Sequence, residues 1–166
     1  SAGSSISPGV YCGGLYASGS SLTVQPGTYW VGDGDLNFNS INSITCNCTN
    51  PGDGVTFVLA GTTPGQIGTF DFNSINTVSL QAPSDPSYDF PGMLIYVDRR
   101  ADLAESRFNS IDNLTFNGAV YAPSQELNFN SIDYTAQTDC ALIVGFRVSF
   151  NSMDAFGTAD NCSAYG

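Results

Sequence analysis

The chain has 166 residues, and its hydrophobic fraction of 42% is enough to bury the core of one domain. Only four side chains are basic, all of them arginine, against fifteen acidic ones, which gives a net charge of -11. That charge repels nucleic acid and anionic membrane surfaces, so we expect neither as a partner. No run of apolar residues reaches the length of a membrane span, and we therefore expect no insertion into a bilayer.

Residues 1–27 are rich in serine and glycine, and we interpret them as an N-terminal cap and first turn. The first residues lack the basic start and the apolar core of a signal peptide. The charged fraction of 11% and the five cysteines are typical of an extracellular β protein. We therefore expect a secreted, cell-surface-associated chain from which a signal has been removed.

A five-residue phrase recurs five times from residue 38 onward and organises the rest of the chain. It reads Phe-Asn-Ser-Ile-Asn in the first two copies, and it ends in aspartate in the last three. Its phenylalanines stand 34, 36, 21 and 21 residues apart: Phe38, Phe72, Phe108, Phe129 and Phe150. Repeats at such intervals indicate one structural unit that stacks on itself.

Each copy of the phrase predicts a corner between two strands. Leu36 and Phe38 stand two apart, as on one face of a strand, whereas the step from Phe38 to Ile41 is three. A step of three keeps both side chains inside only if the backbone bends between them, so we place the bend at the Asn-Ser pair. A second apolar strand completes each repeat, as in residues 55–59 and 93–97.

This pattern predicts an all-β, single-domain parallel β-helix, or β-solenoid, of about five coils with very little helix. The coils would occupy residues 28–154, with residues 155–166 as a C-terminal cap. Equivalent residues of neighbouring coils would lie ~4.8 Å apart, so the phenylalanines would stack inside the solenoid. The corner asparagines would form a ladder of side-chain amides, since an amide both donates and accepts hydrogen bonds: Asn39, Asn73, Asn109, Asn130 and Asn151.

The last position of the phrase carries carboxylates in three copies, at Asp112, Asp133 and Asp154. Because carboxylates in register repel one another, we consider two interpretations. They either point into solvent or form a ladder in which Ca²⁺ bridges neighbouring carboxylates. A second candidate calcium site is formed by turn carboxylates: Asp33, Asp35 and Asp53. We expect no other cofactor.

The five cysteines predict disulfides formed in an oxidising compartment. Cys140 and Cys162 lie 22 residues apart, about one turn of the short repeat, so they can bridge neighbouring coils. Cys12 can pair with Cys46 or with Cys48, which leaves one cysteine over. That cysteine is either a buried free thiol or a link to another subunit.

The absence of histidine excludes Ser-His-Asp and Cys-His catalytic arrangements. The lysine of a phosphate-binding loop is missing as well. A dense cluster of mixed charge runs from Asp98 to Arg107. It suits a solvated loop held by ion pairs, or the acid and arginine groups of a polysaccharide lyase or hydrolase. We favour the loop, and we therefore expect no enzymatic activity.

Several short stretches occur in a familiar order: Pro26 to Tyr29, Gly92 to Arg99, Gly118 to Pro123, Cys140 to Val144 and Val148 to Ser152. Together they resemble the extracellular β-rich region of TadG-like proteins, which are encoded with the tight-adherence pilus-assembly systems of bacteria. The resemblance covers most of residues 20–155. It implies a bacterial, envelope-associated or secreted protein with a part in adhesion or surface structure. It also implies a right-handed solenoid, and it brings no catalytic residues.

We therefore predict a non-enzymatic, secreted bacterial structural protein, a subunit of an extracellular filament or adhesive surface assembly. The ends of a short solenoid present unpaired strand edges, and a head-to-tail contact between such ends does not close on itself. The chain would then be its own partner, while its side surface could contact cell-surface glycans. The alternative is a carbohydrate-active enzyme or a glycan-binding module on a parallel β-helix.

Overall fold

A computed structural model describes residues 3–135, 140–154 and 162–165 of the protein. These residues form ten β-strands and two short 3-10 turns, Pro64–Gln66 and Cys162–Tyr165, and no α-helix occurs among them. The same part of the chain has no helix that is long and apolar enough to cross a membrane. The prediction of an all-β protein is confirmed.

The strands follow one another as β1 (Ser4–Ile6), β2 (Gly9–Cys12), β3 (Leu15–Val24), β4 (Gly27–Gly32), β5 (Leu36–Cys46), β6 (Val55–Ala60), β7 (Phe70–Gln81), β8 (Met93–Val97), β9 (Glu105–Thr135) and β10 (Ala141–Met153). They form one sheet in which the pairings between these strands are parallel. The order across the sheet is β1-β3-β5-β7-β9-β8-β6-β4-β2, and β10 also pairs with β9. The chain therefore alternates between an odd-strand half and an even-strand half of one curled sheet.

The repeated phrase lies in register on the odd-strand half. Phe38 of β5 is opposite Phe72 of β7, which is opposite Phe108 of β9. The long strand β9 carries a second copy, so that Phe129 is opposite Phe150 of β10. The five rings form one continuous inner column with centroids 5.2, 5.0, 5.2 and 5.1 Å apart. The column that the repeat predicts is therefore present in the structure.

The serine of each phrase makes the corner. All five have φ between 50 and 57°, in the left-handed region that residues with a side chain rarely adopt: Ser40, Ser74, Ser110, Ser131 and Ser152. Beyond the bend the chain returns its next apolar side chain to the interior, and Ile75, for example, is buried. The backbone therefore turns at the Asn-Ser pair, where the change of period predicts it.

One cluster of apolar side chains fills the inside of the curled sheet and joins its two halves. The even strands contribute Tyr29, whose ring contacts Phe57 at 5.1 Å. The Tyr29 hydroxyl donates to the backbone oxygens of Gln25 at 2.7 Å and Ile6 at 3.0 Å, which satisfies its polar end. Burial raises the pKa of the Tyr29 phenol well above its ordinary value.

A buried polar network links successive repeats inside this core. Ser106 donates to the side-chain oxygen of Gln125 at 2.6 Å, and it accepts from the backbone N–H of Phe70 at 2.9 Å. The amide of Gln125 donates to the backbone oxygen of Gly68 at 3.0 Å. Because both polar side chains are buried and each both donates and accepts a hydrogen bond, the network fixes the relative register of three chain segments.

The segment that we interpret as an N-terminal cap contributes β1, β2 and β3 to the same sheet, and β1 and β2 are its outermost strands. Ala17 lies opposite Phe38 and so occupies the first place of the phenylalanine column. The bend beside it is made by Gly19, with φ of 129°. Most of the predicted C-terminal cap, residues 155–161 and 166, lies outside the described residues.

Candidate functional site

The end of the sheet formed by β10 carries exposed apolar side chains. Phe146 is 63% exposed and Phe150 is 50% exposed, and Leu142 is exposed as well. On its outer edge β10 pairs with no other strand among the described residues. An exposed strand edge together with apolar side chains is a template on which another chain can pair.

The opposite end of the sheet has a similar character. Within the described part of the chain, strand β1 pairs only with the last three residues of β3, Leu22 to Val24. The first half of β3 therefore has no described strand on its outer side, and Tyr16 is exposed there. Val10 on the outer face of β2 is also exposed. Both ends of the sheet thus combine strand edges with exposed apolar side chains.

The corner asparagines form the predicted amide ladder in part. Asn109 donates to the side-chain oxygen of Asn73 at 2.6 Å, and Asn130 donates to that of Asn109 at 2.7 Å. At the last repeat the pattern changes, because Asn151 donates to Asn128 at 3.1 Å. The ladder therefore ties together the three central copies of the phrase, which is a structural role.

The fifth position of the phrase does not assemble a metal site among the described residues. Asn76 donates to the side-chain oxygen of Asn42 at 2.7 Å in the first two copies. Asp112, Asp133 and Asp154 follow in the next three, and all are exposed. No group of three or more His, Cys, Asp or Glu in that part of the chain is placed to hold a metal ion.

The turn carboxylates bind the backbone of neighbouring turns. Each accepts a hydrogen bond of 2.7 to 2.9 Å from a backbone N–H: Asp33 from Thr62, Asp35 from Thr69 and Asp53 from Asn50. The bond from Asn50 lowers the pKa of Asp53, and Tyr88 adds a second hydrogen bond at 2.8 Å. These side chains hold the connections between strands in place.

The disulfides join Cys140 to Cys162 and Cys46 to Cys48, and Cys12 is an exposed free thiol. The first pair is the one that the 22-residue spacing suggests. The expected pairing of Cys12 with Cys46 or Cys48 is not found. Cys12 ends β2 on the even-strand half, whereas Cys46 ends β5 on the odd-strand half. Cys48 follows Cys46 so closely that their Cα atoms are 5.2 Å apart, within bridging distance.

The charged cluster between β8 and β9 divides into separate ion pairs. Arg100 bonds Asp98, with Nη2 to Oδ2 at 2.7 Å, and it also donates to the backbone oxygen of Gly61. These bonds lower the pKa of the Asp98 carboxyl. Arg107 makes two parallel bonds of 2.9 Å to Asp71 of the neighbouring strand. The charges thus fasten a loop and two strands to their neighbours.

A row of aromatic side chains crosses the outer face of the even strands, and the sequence analysis does not identify it. The Trp30 ring contacts Phe90 edge to face at 5.6 Å. Phe90 lies 6.3 Å from Tyr96, which stacks on Tyr121 at 5.4 Å. Trp30 remains 39% exposed. The sequence of β4 predicts that Tyr29 points inward and Trp30 outward. It does not predict the contacts of this row with a distant loop and with two other strands.

A cavity of 340 Å³ adjoins the exposed tryptophan. Its lining includes Val10, Trp30, Gly32, Asp33 and Thr62. Its surface is mainly apolar and aromatic, with the carboxylate of Asp33 and the hydroxyl of Thr62 at its edge, and its volume is in the range of small-ligand sites.

Comparisons of the chain with protein-family models, with curated proteins and with solved structures find no match. They therefore assign no catalytic, metal or ligand residues to any of these surfaces. Function is therefore inferred from three surfaces of the molecule: the two ends of the sheet and its aromatic outer face.

Proposed function

We propose that the protein is a non-enzymatic structural subunit, a parallel β-helix of about five coils that assembles head to tail into an extracellular bacterial filament or adhesive surface layer. The two disulfides and the low charged fraction support an oxidising, extracellular location. The resemblance to TadG-like proteins supports a bacterial surface role. Each coil would consist of two odd-half segments joined by the serine corner, followed by one even-half segment.

The observation that carries the proposal is the character of the two ends. The same residue types recur in register from β5 to β10, and exposed apolar side chains occur at the last described strand. A second copy placed on that strand would continue the parallel pairing with its own first strands. Such a contact joins two different surfaces, so it is heterologous and grows without closing.

The first and last places of the inner column are complementary in size. Phe150 occupies the last place and Ala17 the first. A copy stacked on β10 would therefore bring a small side chain against the half-exposed ring. Burying Phe146 in the same joint would contribute roughly 1.5–3 kcal/mol. The net charge of -11 opposes association, so salt should promote it.

Negative-stain electron microscopy and sedimentation velocity of the full chain, at low and high salt, test the proposal. We expect filaments one molecule wide with an axial repeat of roughly 29 Å, because the column from Ala17 to Phe150 has six layers at ~4.8 Å each. Phe146→Asp should block assembly because it places a charge in the joint. Leu103→Asp is the matched control, since Leu103 is equally exposed but lies in the loop before β9.

Monodisperse particles of the unmodified chain at every salt concentration would contradict the proposal, as would normal filaments from the Phe146→Asp variant. The same samples with EDTA test the calcium ladder at Asp112, Asp133 and Asp154. We expect no change on chelation, because the described residues form no cluster of three metal-binding side chains.

A further inference from the structure

We propose that the cavity beside Trp30 binds one ring of a neutral polysaccharide. This site lies on the outer face of the even strands and goes beyond the proposed assembly, which uses the ends of the sheet. Three features support this site: the tryptophan, a glycine that keeps the cavity open, and the polar groups at its rim.

Trp30 is held in place but remains accessible. Its neighbours Tyr29 and Val31 are buried, so alternation along β4 directs the indole outward. Phe90 contacts the indole edge to face at 5.6 Å. The ring is still 39% exposed and lines the cavity together with Val10. A fixed, accessible indole is a surface on which the C–H face of a pyranose ring can stack, because its π face is electron-rich.

Gly32 keeps the cavity open. It shares the outer face of β4 with Trp30, two residues along the strand. Its φ is not in the left-handed region, and a Cβ built there would meet only the backbone oxygen of Tyr11, at 4.0 Å. By contrast, a Cβ on the nearby Gly61 would lie 2.8 Å from a backbone nitrogen. The backbone therefore requires glycine at position 61 but not at position 32, where a side chain would simply fill the cavity.

The rim of the cavity supplies acceptors for hydroxyl groups. Asp33 Oδ1 accepts a hydrogen bond from the backbone N–H of Thr62 at 2.7 Å. Among the described residues, Oδ2 receives only a 3.5 Å contact from the Thr62 hydroxyl. A carboxylate oxygen with such capacity can accept a hydrogen bond from a sugar hydroxyl. The carboxylate also repels anionic sugars, as does the net charge of -11. An apolar wall beside a hydroxyl-binding, anion-repelling rim suits a neutral pyranose.

The volume agrees with this assignment. At 340 Å³ this open depression is near the lower limit of small-ligand sites, so it contacts a single ring while the rest of a polysaccharide extends into solvent. The cavity lies on the outer face of β4 beside the outermost strand β2, so copies that stack through the strand edges leave its outward opening accessible. A filament would then present one such site per subunit, and multivalency would strengthen weak individual contacts.

The single tryptophan of the chain makes the test direct, because its fluorescence reports on this site alone. The full chain is titrated with neutral hexasaccharides of glucose, mannose, galactose and N-acetylglucosamine, and with anionic polygalacturonate. We expect a saturable change in Trp30 emission with at least one neutral sugar and none with polygalacturonate. Gly32→Leu should abolish that change while leaving Trp30 in place.

Calorimetry with the responsive sugar extends the test to variants without tryptophan. Trp30→Phe should weaken binding roughly tenfold, a loss of about 1.4 kcal/mol, because the smaller ring offers less surface for stacking. Leu103→Ala, an exposed apolar side chain outside the cavity, is the control and should bind normally. Phe146→Asp, which should remain monomeric, should also bind normally, so failure of the filament proposal and failure of this one are distinguishable.

Three results would overturn the inference. The first is no change in emission with any neutral sugar although acrylamide quenching shows that Trp30 is accessible. The second is unaltered binding by Gly32→Leu, which would place the sugar elsewhere. The third is concentration-dependent dimerisation lost on Trp30→Ala substitution, which would make this face a lateral contact between copies of the chain.

Discussion

Alanine in place of Phe108 should lower the free energy of unfolding by about 4–5 kcal/mol. The Phe108 side chain is 2% exposed and sits at the centre of the inner column. Its ring centroid is 5.0 to 5.9 Å from four others: Phe72, Phe129, Phe70 and Phe116. Truncating a buried phenylalanine to alanine costs roughly 3–5 kcal/mol of stability. Each aromatic pair contributes about 0.5–1.5 kcal/mol in addition to the burial of apolar area, so we expect a loss at the upper end of that range.

Urea unfolding followed by circular dichroism measures this loss, with Phe150→Ala as the matched substitution. Phe150 belongs to the same column but is half exposed, so its truncation should cost less than half as much. Both are compared in the Phe146→Asp background, so that assembly does not add to the measured stability. Equal losses at the two positions, or a loss below about 2 kcal/mol for Phe108→Ala, would show that the column is not the main core.

Three further changes test the corners, the ion pairs and the disulfides. Ser74→Gly should leave the free energy of unfolding unchanged or raise it by up to about 1 kcal/mol, because glycine adopts a left-handed φ without strain. Ser74→Val should lower it by about 1–2 kcal/mol. A higher urea midpoint for the valine variant than for the glycine variant would refute this. Bonds from Arg100 hold the pKa of Asp98 below its ordinary value of 3.8, so their stabilisation is present at neutral pH and fades as pH falls through the folded-state pKa. Asp98→Asn should therefore flatten the acid limb of a stability profile, and an unchanged limb would contradict it. Replacing Cys140 and Cys162 by serine should lower the free energy of unfolding by roughly 3 kcal/mol. Removing the disulfide between Cys46 and Cys48 should cost far less, because a loop of two residues hardly restricts the unfolded chain. Equal losses would show that loop length does not set the stabilisation.

The inner column and its corners could be predicted because the spacing of the apolar residues changes from two to three within a few residues. A step of two from Leu36 to Phe38, followed by a step of three to Ile41, admits few backbones that bury all three side chains. The left-handed conformation of Ser40 is the local solution. Since the phrase recurs five times, the same inference holds at each copy and the stacking follows from repetition.

The cysteine pairing could not be predicted, since it depends on where each cysteine falls within a coil. Cys12 and Cys46 lie on different halves of the sheet, and no local pattern at residues 9–12 identifies their half. The aromatic row could not be predicted for a related reason: it joins residues that are distant in the sequence. Trp30 and Tyr96 belong to strands, but Phe90, which contacts both, comes from the connection between β7 and β8.

The unequal lengths of the repeats explain where the outer site lies. The last two intervals between phenylalanines are 21 residues, and the first two are 34 and 36, so the early coils contain insertions. Those insertions supply Thr62, in the connection from β6 to β7, and Phe90, in the connection from β7 to β8. Thr62 bonds Asp33 at the cavity rim and Phe90 holds Trp30 in place. The regular coils thus provide the stacking axis, and the inserted turns build a site on its side. Assembly and sugar binding share Val10 but depend on different substituted residues. Phe146→Asp should abolish assembly without sugar binding, and Gly32→Leu should abolish sugar binding without assembly.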